Sequence, residues 1–138
     1  MIELQNGWTK KKLKARIRER VPKDGKCSLT TSVASTCVYY NEDTGKSCAI
    51  GALLPKKMAG AAVNTEVTEF WDMDYDTKER VPSTDEGKYL STHGPFPDVD
   101  DYISFQELHD NWVCAEPFET MHESLCHFVD KYCVDPKK

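Results

Sequence analysis

Six cysteines and four histidines in 138 residues are the first candidates for chemistry, because thiolate and imidazole are the ligands zinc prefers. A specific zinc signal comes as close pairs such as Cys-x2-Cys, and this chain has none. Cys27, Cys37 and Cys48 are ten and eleven residues apart, a spacing that suits a hairpin. If the two arms pair, Cys37 and Cys48 face each other, and with His109 they supply three ligands of a zinc site. His122, Cys126 and Cys133 share one face of the last predicted helix, where Cys114 or His109 could join them. That face also carries Val129, and buried thiols acting as small hydrophobes are the commoner reading. The expectation is no cofactor, with zinc on Cys37, Cys48 and His109 as the alternative.

Other chemistry has thinner support. His109-Asp110 with Cys114 supplies the residue types of a nucleophilic site. Adjacent residues on a helix point about 100° apart, however, so Asp110 is badly placed to orient His109. Asp72-Met73-Asp74-Tyr75-Asp76 resembles the start of a calcium loop but has Thr77 where Gly is required and Ser83 where a bidentate Glu is required. In an extended strand the three carboxylates form an acidic row beside Trp71 and Tyr75. Such a row is either solvated or imitates a phosphate backbone toward a basic protein groove. Neither a Gly-rich phosphate loop nor Gly-x-Ser-x-Gly occurs, so nucleotide hydrolysis and serine-hydrolase chemistry have no support.

The elements that position these residues are partly legible. Leu13, Ile17 and Val21 recur every four residues, predicting a basic amphipathic helix over 8–21 with Thr9 as cap and Pro22 as stop. Its narrow apolar stripe predicts a surface position. Residues 28–36 show no clear period. Residues 37–40 and 46–50, rich in strand formers around the turn cluster 41–45, predict a β-hairpin, and 56–63 a short helix. The stretch 64–103 reads as a long acidic, loop-rich excursion. Ser104 and Glu107 form a capping box for a helix through Phe105, Leu108 and Trp112, and Pro117 opens a last helix running to about Cys133.

Charge is segregated. Residues 1–26 hold nine Lys/Arg against three Asp/Glu, a local +6, so the rest of the chain carries −11 to reach the net −5. Within 66–110 thirteen acidic residues face Lys78, Arg80 and Lys88, a local −10. Either the basic arm packs on the acidic body or one of the two meets a charged partner. Direct nucleic-acid binding is disfavoured, since the chain's own carboxylates repel phosphates. The longest apolar run, residues 48–54, is far short of the roughly 18 residues that read as a membrane span. With no basic-then-apolar leader at the N-terminus, a cytosolic protein is expected.

The run Cys37-Val38-Tyr39-Tyr40, then Gly45-Lys46-Ser47-Cys48-Ala49-Ile50-Gly51-Ala52-Leu53-Leu54-Pro55, and later Phe105-Gln106-Glu107-Leu108-His109-Asp110, resembles a set of small phage and prophage proteins. They pair a Cys-x-Tyr…Gly-Lys-x-Cys-Ala-Ile-Gly-x-Leu-x-Pro hairpin with a helical Leu-Gln-x-x-His-Asp segment. The likeness covers about thirty residues, with Phe105 standing where Leu is usual. It implies a phage setting in the host cytosol and a shared α+β core, and carries no catalytic assignment.

Together these readings predict a single domain over 1–138 of α+β class. It has a small antiparallel β element packed by an N-terminal helix and a C-terminal helical pair, with a long acidic middle. The function expected is non-catalytic binding of a host or host-defence protein, including a nucleic-acid-binding one by acidic mimicry. Phe70, Trp71, Asp72, Asp74, Tyr75, Asp76 and Tyr89 are the partner-binding residues. The alternative is a metal-dependent enzyme or nucleotide-type ligand-binding protein built on Cys37, Cys48, His109 and Asp110.

Overall fold

The computed structural model describes residues 1–21, 28–30, 35–37, 40–41, 46–61, 67–110 and 120–136. Helix α1 (Lys10–Arg20) forms where the four-residue apolar spacing predicts it. Thr9 caps it by accepting from Lys12 N, and the chain turns extended at Val21. Its stripe is narrow yet fully used, since Leu13, Ile17 and Val21 are completely buried. The helix lies along α5 (Met121–Tyr132), whose Met121, Leu125 and Val129 are equally buried.

The two chain ends are joined. β1 (Ile2–Glu3) runs parallel to β8 (Cys133–Val134), pairing Ile2 with Cys133 and Glu3 with Val134. The Asp135 carboxylate then accepts the Lys10 backbone N–H at 2.7 Å, so the C-terminal segment satisfies a first-turn donor of α1.

β2 (Ser28–Thr30) pairs with β3 (Ser35–Cys37) in the stretch that showed no period, and Cys37 stands opposite Ser28. The expected hairpin is present but shorter, with β4 (Tyr40–Asn41) antiparallel to β5 (Lys46–Ser47). Strand pairing ends at Ser47 because Gly51–Leu53 wraps into a 3-10 turn that buries Ala49, Ile50, Ala52, Leu53 and Leu54 together. Helix α2 (Lys56–Ala61) follows.

The acidic middle is more ordered than its composition predicts. A 3-10 turn (Val67–Phe70) leads into a hairpin of β6 (Trp71–Asp74) and β7 (Glu79–Pro82), then α3 (Asp85–His93). Thr84 caps α3 through Gly87 N, acidic Asp85 and Glu86 occupy its first turn, and Gly94 ends it. Helix α4 (Val99–Asp110) starts five residues before the expected capping box, leaving Ser104 and Glu107 exposed in its middle. Asp100 and Asp101 supply the first-turn charge, and burial of Tyr102, Phe105, Gln106 and His109 sets the inward face. Helix α5 opens at Thr120, which accepts from Glu123 N. Pro117, expected to open it, lies outside the described residues, as does Trp112.

The arrangement is α+β: two-stranded ladders and helices around a shared hydrophobic cluster. Its centre is aromatic. Tyr102 stacks on Trp71 at 5.7 Å between centroids, and Phe96 meets Tyr102, Phe105 and Phe128 edge-on at 5.0, 5.4 and 6.2 Å. The Tyr102 hydroxyl donates to Leu90 O and accepts from Phe96 N, so its one polar atom is satisfied inside that cluster. Among the described residues no helix is long and apolar enough to cross a membrane.

Candidate functional site

The β6–β7 hairpin carries the most exposed apolar surface of the described chain. Its register pairs Trp71 with Pro82, Asp72 with Val81, Met73 with Arg80 and Asp74 with Glu79. Directly opposed residues share a face, so Asp72, Asp74, Glu79 and Val81 form one side, and Trp71, Met73, Arg80 and Pro82 the other. Trp71 is only 6% exposed and roots the hairpin in the core, while Met73 at 43% and Val81 at 39% stand outside it.

The turn is built by Asp74. Its carboxylate accepts from Asp76 N at 3.0 Å and Thr77 N at 3.4 Å, and its carbonyl accepts from Lys78 N at 2.6 Å. Lys78 takes the left-handed conformation, φ 61°, that closes such a turn before the returning strand. Tyr75, at the tip, is 87% exposed. The projecting end therefore presents Tyr75, Met73 and Val81 amid Asp72, Asp74, Asp76 and Glu79, with Lys78 and Arg80 as the only hairpin cations.

Several expected partner-binding residues sit elsewhere. Phe70, 1% exposed, and Trp71 are core residues, withdrawn from any partner because the 3-10 turn before β6 rotates both inward. Tyr89 lies on α3, half-buried, its ring 4.8 Å from that of His93. The expected row of three carboxylates is broken: Asp72 and Asp74 are on the strand, but Asp76 is in the turn, and Asp74 is engaged with backbone N–H groups. Met73 and Val81 belong to the exposed surface and were not anticipated. The signal for Met73 was apolar residues at every second position among acids in 71–76, which marks a strand; Val81, between Arg80 and Pro82, has no such signal.

The expected pairing of Cys37 with Cys48 across one hairpin is not formed, because Cys37 belongs to β3 and pairs with Ser28 while the β4–β5 ladder ends at Ser47. Cys48 is buried and its Sγ accepts from Gly51 N at 3.3 Å, and His109 is completely buried. The side chains of Cys37 and Asp110, and all of Cys114, lie outside the described residues. His122 Nε2 is 2.6 Å from the Val21 carbonyl, a bond that fixes the end of α1 against α5. Cys126 and Cys133 are buried, and burial pushes both thiols up, Cys133 to about 12. Thiols held protonated are poor ligands and poor nucleophiles. Among the described residues no group of three His, Cys, Asp or Glu side chains is placed to hold a metal ion.

What the two motif segments do share is a buried polar join. Gln106 Oε1 accepts the Ile50 N–H at 3.1 Å. Arg20 reaches in from α1, donating from Nη1 to the carbonyls of Leu54 at 2.8 Å and Ala52 at 3.3 Å, and from Nη2 to Ser47 Oγ at 3.2 Å. A strand-poor apolar loop leaves its carbonyls without ladder partners, and the fixed fork of a guanidinium supplies the donors. The join shapes the 46–55 loop.

The chain matches no protein-family model, no curated protein and no solved structure.

Proposed function

We propose that this is a non-catalytic, phage-type protein that acts in the host cytosol by binding a basic surface of a host or host-defence protein through the tip of the β6–β7 hairpin. The observation that carries this reading is Tyr75, an aromatic ring 87% exposed at the end of a hairpin whose turn is rigidified by Asp74. An exposed aromatic on a rigid turn offers a large contact area at little entropic cost, and aromatic residues are enriched among binding hot spots. The surrounding carboxylates steer a cationic partner and exclude an anionic one.

The broken acidic row favours a general basic protein surface over a groove that reads evenly spaced phosphates. The β6–β7 hairpin lies outside the segments that carry the resemblance to phage proteins. The test is affinity capture from host lysate with the full chain, beside a Tyr75→Ala, Asp72→Asn, Asp76→Asn variant of unchanged stability. The expected result is a basic protein retained by the first and lost by the second, with retention falling as salt rises. The same proteins retained by both would overturn the reading.

A further inference from the structure

Helix α1 divides its charges by face. Leu13, Ile17 and Arg20 point inward, and Lys14 pairs with Asp130 at 2.9 Å, with Lys10 at 3.9 Å from the same carboxylate. At 3.6 residues per turn, Lys12, Ala15, Arg16 and Glu19 share another flank of the helix, away from Lys10 and Asp130. They border a groove of about 350 Å³ whose other wall is Asn6, Gly7 and Trp8. A groove this size falls within the range of small-molecule sites.

Its walls are fixed in place. The 5–8 turn closes through Trp8 N to Gln5 O at 3.0 Å, with Asn6 and Gly7 both left-handed at φ 55° and 82°. Asn6 Nδ2 donates to Gly94 O at 2.8 Å and the Trp8 indole to His93 O at 2.7 Å, so α3 holds this turn from behind. The Arg16 guanidinium lies over the Trp8 ring, 5.4 Å from its centroid, and donates to Ala52 O. Lys12 Nζ donates to Gly7 O at 3.2 Å, which sets an ammonium at one end. Ala15, small and exposed, leaves the floor open.

We propose that this groove binds a nucleoside phosphate. The Lys12 ammonium and the unused N–H groups of Arg16 take the phosphate, the strongest class of hydrogen bond available to them. Glu19, two turns along, accepts from the hydroxyl and amino donors of the nucleoside. The rise from residue 12 to 19 is about 10 Å, the scale of a single nucleotide and too short for a strand. A carboxylate at the far end repels a second phosphate and so selects a monomer. The site is independent of the hairpin, on the opposite charge pole of the chain.

The test is calorimetric titration of the full chain with adenosine and cytidine monophosphates, adenosine, inorganic phosphate and a single-stranded oligonucleotide. Ala15→Leu, which fills the floor at little helix-propensity cost, and Lys12→Glu are titrated alongside, both sites being exposed. The expected result is that a monophosphate binds, that adenosine and phosphate bind about tenfold or more weakly, and that each variant loses about tenfold in affinity without a change in unfolding temperature. No monophosphate binding at millimolar concentration, equal binding by both variants, or tighter binding of the oligonucleotide would each overturn the proposal.

Discussion

The Gln106 side-chain oxygen and the Ile50 backbone N–H meet at 3.1 Å across 56 residues of sequence, inside the core. This bond ties helix α4 to a loop that has no strand partner of its own at that point. Removing the acceptor leaves a buried donor unsatisfied, which costs about 1–3 kcal/mol. Gln106→Leu is therefore expected to destabilise the protein by that amount in spite of its added apolar contact. Urea unfolding reads it as a lower midpoint at unchanged slope. An unaltered midpoint would mean that the loop holds its shape through Arg20 alone.

Gly87 makes a prediction of opposite sign to the ordinary rule. Replacing glycine by alanine in a helix stabilises by about 0.5–1 kcal/mol. Here an added Cβ would strike the Phe70 carbonyl oxygen and come to 3.3 Å from the Phe70 Cβ. That carbonyl already accepts from Ser83 N at 3.0 Å, so the backbone cannot give way freely. Gly87→Ala is expected to lose about 1–3 kcal/mol, the usual cost of overpacking. Thermal unfolding of the variant distinguishes the two signs directly.

The elements that local periodicity determines were legible, and those that long-range contacts determine were not. Helix α1 follows from the four-residue spacing of Leu13, Ile17 and Val21, and its cap from a threonine placed just before that run. The β6–β7 hairpin and α3 were hidden because Thr, Asp and Gly at high density imitate a loop, although Thr84, Asp85, Glu86 and Gly94 are start and stop signals read one by one. The start of α4 was misplaced because Ser104 and Glu107 have the form of a cap, and only packing of Tyr102 on Trp71 fixes the true phase. Phe70 and Trp71 looked like interface anchors because composition does not tell which aromatic in an acidic stretch turns inward. The division of the charges was half legible. The +6 of residues 1–26 is visible in sequence, but its partial neutralisation by Asp130 on α5 is a tertiary fact.

That neutralisation depends on pH. The hydrogen bond from Lys14 holds the Asp130 carboxyl below its ordinary value of 3.8, with Lys14 and Lys10 charges adding to it. A carboxylate whose folded pKa is depressed contributes stability above its unfolded pKa and loses it as pH falls through the folded value. The pair is solvent-exposed, so its contribution is about 0.2–1 kcal/mol and shrinks in salt. Asp130→Asn is expected to lower stability by that margin at neutral pH and to match the parent well below pH 3.8. Parallel denaturation curves at the two pH values check this; a constant difference would assign the effect to packing.

Phe70, just before β6, and Tyr75, at the hairpin tip, lie five residues apart at opposite extremes of burial. Phe70 is 1% exposed and packs beside Trp71, with centroids 6.2 Å apart, so Phe70→Ala is expected to cost about 3–5 kcal/mol. Tyr75 is 87% exposed, and its turn is held by the Asp74 carboxylate and not by its ring, so Tyr75→Ala is expected to stay within about 0.5 kcal/mol of the parent. The two substitutions thus reverse their order between assays. Partner retention should survive in whatever fraction of the Phe70 variant remains folded, and should fall in the fully folded Tyr75 variant. Chemical denaturation and affinity capture on the same two proteins give both orders. A Tyr75 variant that stays folded and keeps its partner would move recognition away from the hairpin tip.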